Sequence, residues 1–183
     1  MADTLLDIID ETNEVVGQAL RSEIHAKGLL HREIHIWFIT PDKKVIFQKR
    51  SMKKDTYPGF LTIAVGGHVE GGSTHEETVL IEAAEETGLD IKISDLKFLG
   101  IRRANVSDAV TNTKNNALQK LYGYLFTGKL DDLKVELDES EGYFLVDWND
   151  IINLETDLFK QTEPGLLTDE FNIIRDKLES MVK

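Results

Sequence analysis

Gly66 to Leu89 reads GGHVEGGSTHEETVLIEAAEETGL, and both the fold and the chemistry hang on this stretch. Gly66-Gly67 and Gly71-Gly72 relieve the backbone of Cβ constraints and predict a glycine-rich turn. Ser73 then stands as a helix N-cap, with Glu76 three residues on to complete a capping box. The helix is expected to run to Thr87, where Gly88 supplies a left-handed stop. Val79, Leu80, Ala83 and Ala84 form its apolar stripe. At about 100° per residue, Glu82, Glu85 and Glu86 gather along a different face. Like charges one turn apart repel, so the cluster implies a cation among them. Oxygen donors alone favour a hard cation, Mg²⁺ or Mn²⁺. Solvated surface glutamates are the competing reading of a bare ExxEE, since helices are rich in Glu. The glycines before this one and the stop after it set it apart.

The chain of 183 residues suits one domain, 1–183, with a sizeable core. Cysteine is absent. That excludes disulfides, thiolate metal sites and a cysteine nucleophile, and it fits a reducing cytoplasm, the expected location. The opening residues MADTLLDIIDE are acidic and do not read as a signal peptide. No apolar run approaches membrane-spanning length. A net charge of −12 disfavours generic binding to nucleic acid or to an anionic membrane. The expected partner is a small molecule, approached through a local basic patch or a bridging metal; a homodimer is left open.

Outward from the decisive stretch, period-two alternation predicts strands. An N-terminal β-hairpin occupies 1–20, with Asp10 to Asn13 at its turn. Leu30 to Thr40 is a strong strand in which His31, Glu33, His35 and Trp37 alternate with Arg32, Ile34, Ile36 and Phe38. Val45 to Arg50 and Leu61 to Val65 follow. After the helix come a strand from Leu96 to Asn105, a polar loop from Ser107 to Asn116, a strand from Ala117 to Thr127, an acidic loop and a strand from Gly142 to Trp148. An amphipathic helix closes the chain at 168–183, with Phe171, Ile174, Leu178 and Met181 on one face.

The central stretch resembles the Nudix box, whose pattern is Gly, five residues, Glu, seven residues, then Arg-Glu-apolar-x-Glu-Glu-x-Gly-apolar. Gly67, Glu82, Ala83, Glu85, Glu86, Gly88 and Leu89 match it. Ser73 stands where the first Glu belongs and Ile81 where the Arg belongs, and Ile81 is expected to pack where that Arg would reach. From about Leu5 to Ile152 the order of elements is similar to the Nudix branch that contains isopentenyl-diphosphate delta-isomerase and its hydrolase relatives. The resemblance implies an α/β fold, an α/β/α sandwich with a mixed, partly closed β-sheet.

For function it implies metal-dependent hydrolysis of a diphosphate linkage in a nucleoside diphosphate derivative or related small molecule. Glu82, Glu85 and Glu86 would be the catalytic and metal-binding acids, helped by the carbonyl of Gly67. Glu139 and Glu141 are candidates for an additional acid. Arg50, Lys54, Arg102 and Arg103 are candidate phosphate partners; for each of these, plain surface solubility is the competing reading. A domain that binds a nucleotide or metabolite without cleaving it is the alternative. Isomerase activity is not expected, because Gly66 stands where the isomerase has its Cys and Lys114 to Lys120 lacks a carboxylate. His25, His31 and His68 nevertheless fall close to the isomerase's metal-binding histidines.

Overall fold

The computed structural model describes residues 3–54, 56–108, 113–136, 138–154 and 156–183. In order, the strands and α-helices are β1 (Leu5–Ile9), β2 (Val15–Leu20), α1 (Arg21–Lys27), β3 (His31–Ile39), β4 (Lys44–Arg50), β5 (Leu61–Ile63), β6 (Val65–His68), α2 (His75–Thr87), β7 (Leu96–Asp108), β8 (Thr113–Leu125), β9 (Ser140–Asp147), α3 (Trp148–Ile152), α4 (Thr156–Gln161) and α5 (Phe171–Glu179). β1 and β2 pair as a separate hairpin. The remaining strands form one mixed sheet with a path β5-β4-β3-β8-β7. β3 and β8 run parallel along their length, His31 beside Ala117 through Ile39 beside Leu125.

β4 pairs with β3 only at Ile46 and Val45, opposite Phe38 and Ile39. Earlier along β3 its free edge is taken by β6, so Glu33 faces His68 and His35 faces Gly66. The sheet is not closed: no pairing joins β5 to β7 among the described residues, contrary to the partly closed sheet expected.

The pleat of β3 sorts its side chains into two cores. Ile34, Ile36 and Phe38 pack with Val79 and Ala83 of α2. Trp37 and Ile39 pack on the other face with Trp148, Ile151, Phe171, Ile174 and Leu178. The result is a sheet between helices. No described helix is long and apolar enough to cross a membrane.

Several boundaries differ from the sequence reading. Gly66 and Gly67 are strand residues of β6, and the turn lies beyond them. The N-cap of α2 is Thr74, not Ser73, and Glu77 completes the capping box. Glu76 instead accepts from Lys120 at 3.1 Å and from the Tyr122 hydroxyl at 3.3 Å. Thr74→Ala is therefore expected to cost about 1 kcal/mol of stability, and Ser73→Ala less than about 0.5 kcal/mol. Urea denaturation of the two variants checks this; equal losses would contradict the cap assignment.

Ala84 is exposed, and Glu86 and Thr87 are buried in its stead. Ile81 is 54% exposed and packs into no arginine's place. The expected loop at Ser107 to Asn116 is strand on both sides, with Asp108 paired to Thr113; residues 109–112 lie outside the described residues. The C-terminal helix begins with a π-helical turn at Leu166–Glu170 and continues as α5.

Candidate metal and catalytic site

Two clusters of ionisable side chains lie at β6, one on α2 and one drawn from α1, β3 and the end of β6 itself. On the α2 side, packing of Val79 and Ala83 against the sheet turns Glu82 and Glu86 toward the strand. A Cβ on Gly67 would lie 2.2 Å from Glu82 Oε1 and 2.6 Å from its Cγ. Only glycine lets the Glu82 carboxylate rest on the strand backbone.

Glu86 is buried, and Gln48 Nε2 donates to its Oε2 at 2.9 Å. The Gly66 N–H also donates to this carboxylate, and the Tyr143 hydroxyl donates to the Glu86 carbonyl at 2.9 Å. Burial, with Glu85, Glu136 and Glu139 nearby, pushes Glu82 up to about 7. Burial and the Glu82 charge push Glu86 well above the usual carboxylate range. Two such carboxylates, with a strand backbone that only glycine keeps clear, form an oxygen-donor set that suits a hard divalent cation. Glu85 is exposed, and its charge reaches Glu82.

On the other side of β6, His25, His31 and His68 bring one ring nitrogen each within 4.8 Å of one another. His25 comes from α1, His31 from β3 and His68 from the end of β6. His31 Nδ1 lies 3.0 Å from the Leu29 carbonyl and His25 Nδ1 lies 3.2 Å from the Lys114 carbonyl. A carbonyl only accepts, so both Nδ1 atoms carry hydrogen, and in the neutral ring each Nε2 presents a lone pair inward. Burial holds His68 down at about 3, hence neutral. Three imidazoles, two of them braced by carbonyls, fit a metal ion of borderline softness. The isomerase likeness pointed to these histidines.

The NUDIX domain profile matches residues 29–166, most of the chain. The chain belongs to the Nudix family. It is 30% identical over 156 residues to an uncharacterized Nudix hydrolase of Clostridium acetobutylicum, covering 82% of this chain and 73% of that one. It is 28% identical over 145 residues to isopentenyl-diphosphate Delta-isomerase 2 of Photorhabdus laumondii, covering 77% and 76% of the two chains. Against several other curated Nudix hydrolases the matched region spans about half of the relative's length, 48% for one from Streptomyces coelicolor. The crystal structure of DR0079 from Deinococcus radiodurans superposes with a TM-score of 0.67 at 21% identity, over 94% of this chain and 98% of that one.

Within this Nudix domain the other candidate residues divide. Lys54 pairs with Glu139, and the Glu139 charge contributes to raising both Glu82 and Glu86. Lys54 and Glu139 therefore sit by the box acids. Arg50 donates to the Thr56 carbonyl at 2.9 Å and faces Glu163 at 3.3 Å. Glu141 turns outward to Lys49 at 2.8 Å. Arg103 pairs with Glu11 at 2.9 and 3.0 Å. Arg102 is buried in the layer under α5, donating to Glu170 at 3.0 Å. Neither Arg102 nor Arg103 joins the box acids.

Sequence reasoning passed over Gln48 and Tyr143, which hold Glu86. For Gln48 the signal existed: strand alternation puts it on the same face as Ile46, toward α2. It also passed over a buried polar cluster on the opposite face. Glu170 is fully buried and lies 2.9 Å from His35 Nδ1, while Trp37 Nε1 donates to it at 2.6 Å. Burial works to raise the Glu170 pKa, but His35, Trp37 and Arg102 together hold it below the ordinary value.

Proposed function

We propose that this Nudix domain hydrolyses a diphosphate linkage in a nucleoside diphosphate derivative or related small molecule, using Mg²⁺ or Mn²⁺ held at Gly67, Glu82, Glu85 and Glu86. The observation that carries the reading is the Glu82–Glu86 pair, Glu86 buried and Glu82 half-buried, set against a strand that only glycine keeps clear. When bound, such an ion polarises a phosphoryl oxygen and lowers the pKa of bound water. The chain's own groups support the rest of the chemistry. Gln48 and the Gly66 N–H fix the orientation of the Glu86 carboxylate. Glu82, with Glu139 nearby, is the group to accept a proton from the attacking water. Lys54, on exchanging Glu139 for substrate, and Arg50 are the cations for the substrate's phosphates.

Isomerase chemistry finds no thiol at Gly66 and no carboxylate between Lys114 and Lys120. Incubation with isopentenyl diphosphate and Mg²⁺ is expected to give no dimethylallyl diphosphate.

The test is a product screen over nucleoside diphosphates, triphosphates and diphosphate-linked sugars, with Mg²⁺, with Mn²⁺ and with chelator. Cation-dependent release of a phosphate or phosphomonoester from at least one class is the expected result. Binding without cleavage of every class, with either cation, would overturn the reading in favour of a binding-only domain.

A further inference from the structure

The three histidines raise a question that their own geometry does not answer. In the isomerase resemblance the metal is shared by histidines and glutamates, yet β8 offers only Asn115, Ala117 and Gln119 along the edge that faces β3. Glu33 of β3 lies beside two of the three histidines. It is 5% exposed. Its Oε1 lies 3.4 Å from His31 Nε2 and 3.2 Å from His68 Nε2. Its Oε2 accepts from Gln119 Nε2 at 2.7 Å and from Asn115 Nδ2 at 3.3 Å.

The two oxygens therefore live in different surroundings. Oε2 is satisfied by two amide donors. Oε1 faces imidazole nitrogens that have little hydrogen to give. His31 Nε2, a lone pair in the neutral ring, is fully buried and has no hydrogen-bond partner. His25 Nε2 is likewise a lone pair and faces His68 Nε2 at 2.9 Å. At most the single hydrogen of His68 can serve this set, and it cannot serve His25 and Glu33 together. Buried acceptors turned on one another cost free energy unless something positive lies among them.

We propose that Glu33 is the fourth ligand of the histidine centre, and that Gln119 and Asn115 are positioning residues that hold its other oxygen so that Oε1 faces inward. The chain thus supplies from β3 the carboxylate that β8 lacks. Register supports this: Ala117, beside His31, is too short to crowd the centre, and Gln119, beside Glu33, is the right length to grip it. Three imidazole donors and one carboxylate suit a borderline ion such as Zn²⁺ or Co²⁺ over Mg²⁺. The proposal rests on the histidines being a metal site, and is separate from the α2 carboxylates.

The test uses the full chain, stripped with chelator and carrying Glu86→Gln to silence the α2 site, titrated with Co²⁺ alone. Visible absorption and bound-metal stoichiometry are read, and melting temperature without metal monitors folding. One equivalent of Co²⁺ is expected to bind, and His31→Ala to abolish it. Glu33→Gln, which keeps the shape and the Asn115 and Gln119 neighbours, is expected to weaken binding at least 10-fold and to alter the absorption spectrum. Gln119→Leu is expected to weaken it about 10- to 100-fold, the range for outer-shell partners, with Glu33 still present. If His31→Ala abolishes binding but Glu33→Gln leaves affinity and spectrum unchanged, the histidine centre stands and the Glu33 proposal falls. If no Co²⁺ binds, or His31→Ala has no effect, both fall.

Discussion

Glu86→Gln is expected to lower kcat/KM for diphosphate hydrolysis about 1,000-fold, roughly 4 kcal/mol of transition-state stabilisation, while the protein stays folded. Glu86 is the most enclosed of the box acids, and its position is fixed from both side chain and backbone. Gln48 and the Gly66 N–H donate to the carboxylate, and Tyr143 ties the carbonyl of the same residue. An amide in its place keeps the size and can still accept from Gln48, but it removes the charge that a cation needs. Because burial and Glu82 already disfavour the ionised form in the absence of a cation, the neutral variant should melt no lower than wild type. Steady-state kinetics at saturating Mg²⁺, alongside thermal denaturation, measures both quantities. Wild-type turnover in the variant would remove Glu86 from the chemistry; an unfolded variant would show that the carboxylate is structural.

Glu170→Leu is expected to destabilise the fold by about 3–5 kcal/mol, the usual cost of breaking a buried pair from one side. The substitution strands the Trp37 indole N–H, removes the partner of His35, and leaves Arg102 with only the longer contacts to Gln119 at 3.4 Å and Asp169 at 3.7 Å. Arg102 cannot shed its charge, and it is only 8% exposed, so water does not compensate. Arg103→Ala is the contrast. Its partner Glu11 has an 82% exposed side chain, and loss of such a surface pair costs less than about 1 kcal/mol. Urea denaturation of both variants gives the comparison. Similar losses would mean that Glu170 does not anchor the C-terminal segment.

These residues show where sequence reading succeeds and where it stops. The alternation along β3 was plain, and it assigned His31, Glu33, His35 and Trp37 to one face and Ile34, Ile36 and Phe38 to the other, as the two cores require. The α2 acids and their glycine stop were legible because helical spacing is local. The cap was misjudged by one residue for a physical reason. Ser73 and Thr74 can both cap, and each has a Glu three residues on. The choice is made by tertiary contacts, since Lys120 and Tyr122 draw Glu76 away. The polar run at 107–116 concealed strand, because pairing to a neighbour outweighs weak local preference. Arg102 looked like a phosphate ligand only because its partner lies 68 residues away. Glu170 carried no local signal, since His35, Trp37 and Arg102 meet it only after folding.

The central claim is that a cation sits between α2 and β6. Anomalous diffraction from Mn²⁺-soaked crystals tests it most directly, on wild type and on Glu86→Gln. The account predicts a peak bounded by the Gly67 carbonyl, Glu82, Glu85 and Glu86 in the wild type, absent from the variant. Crystals with no density there, at Mn²⁺ concentrations that support turnover, would contradict it.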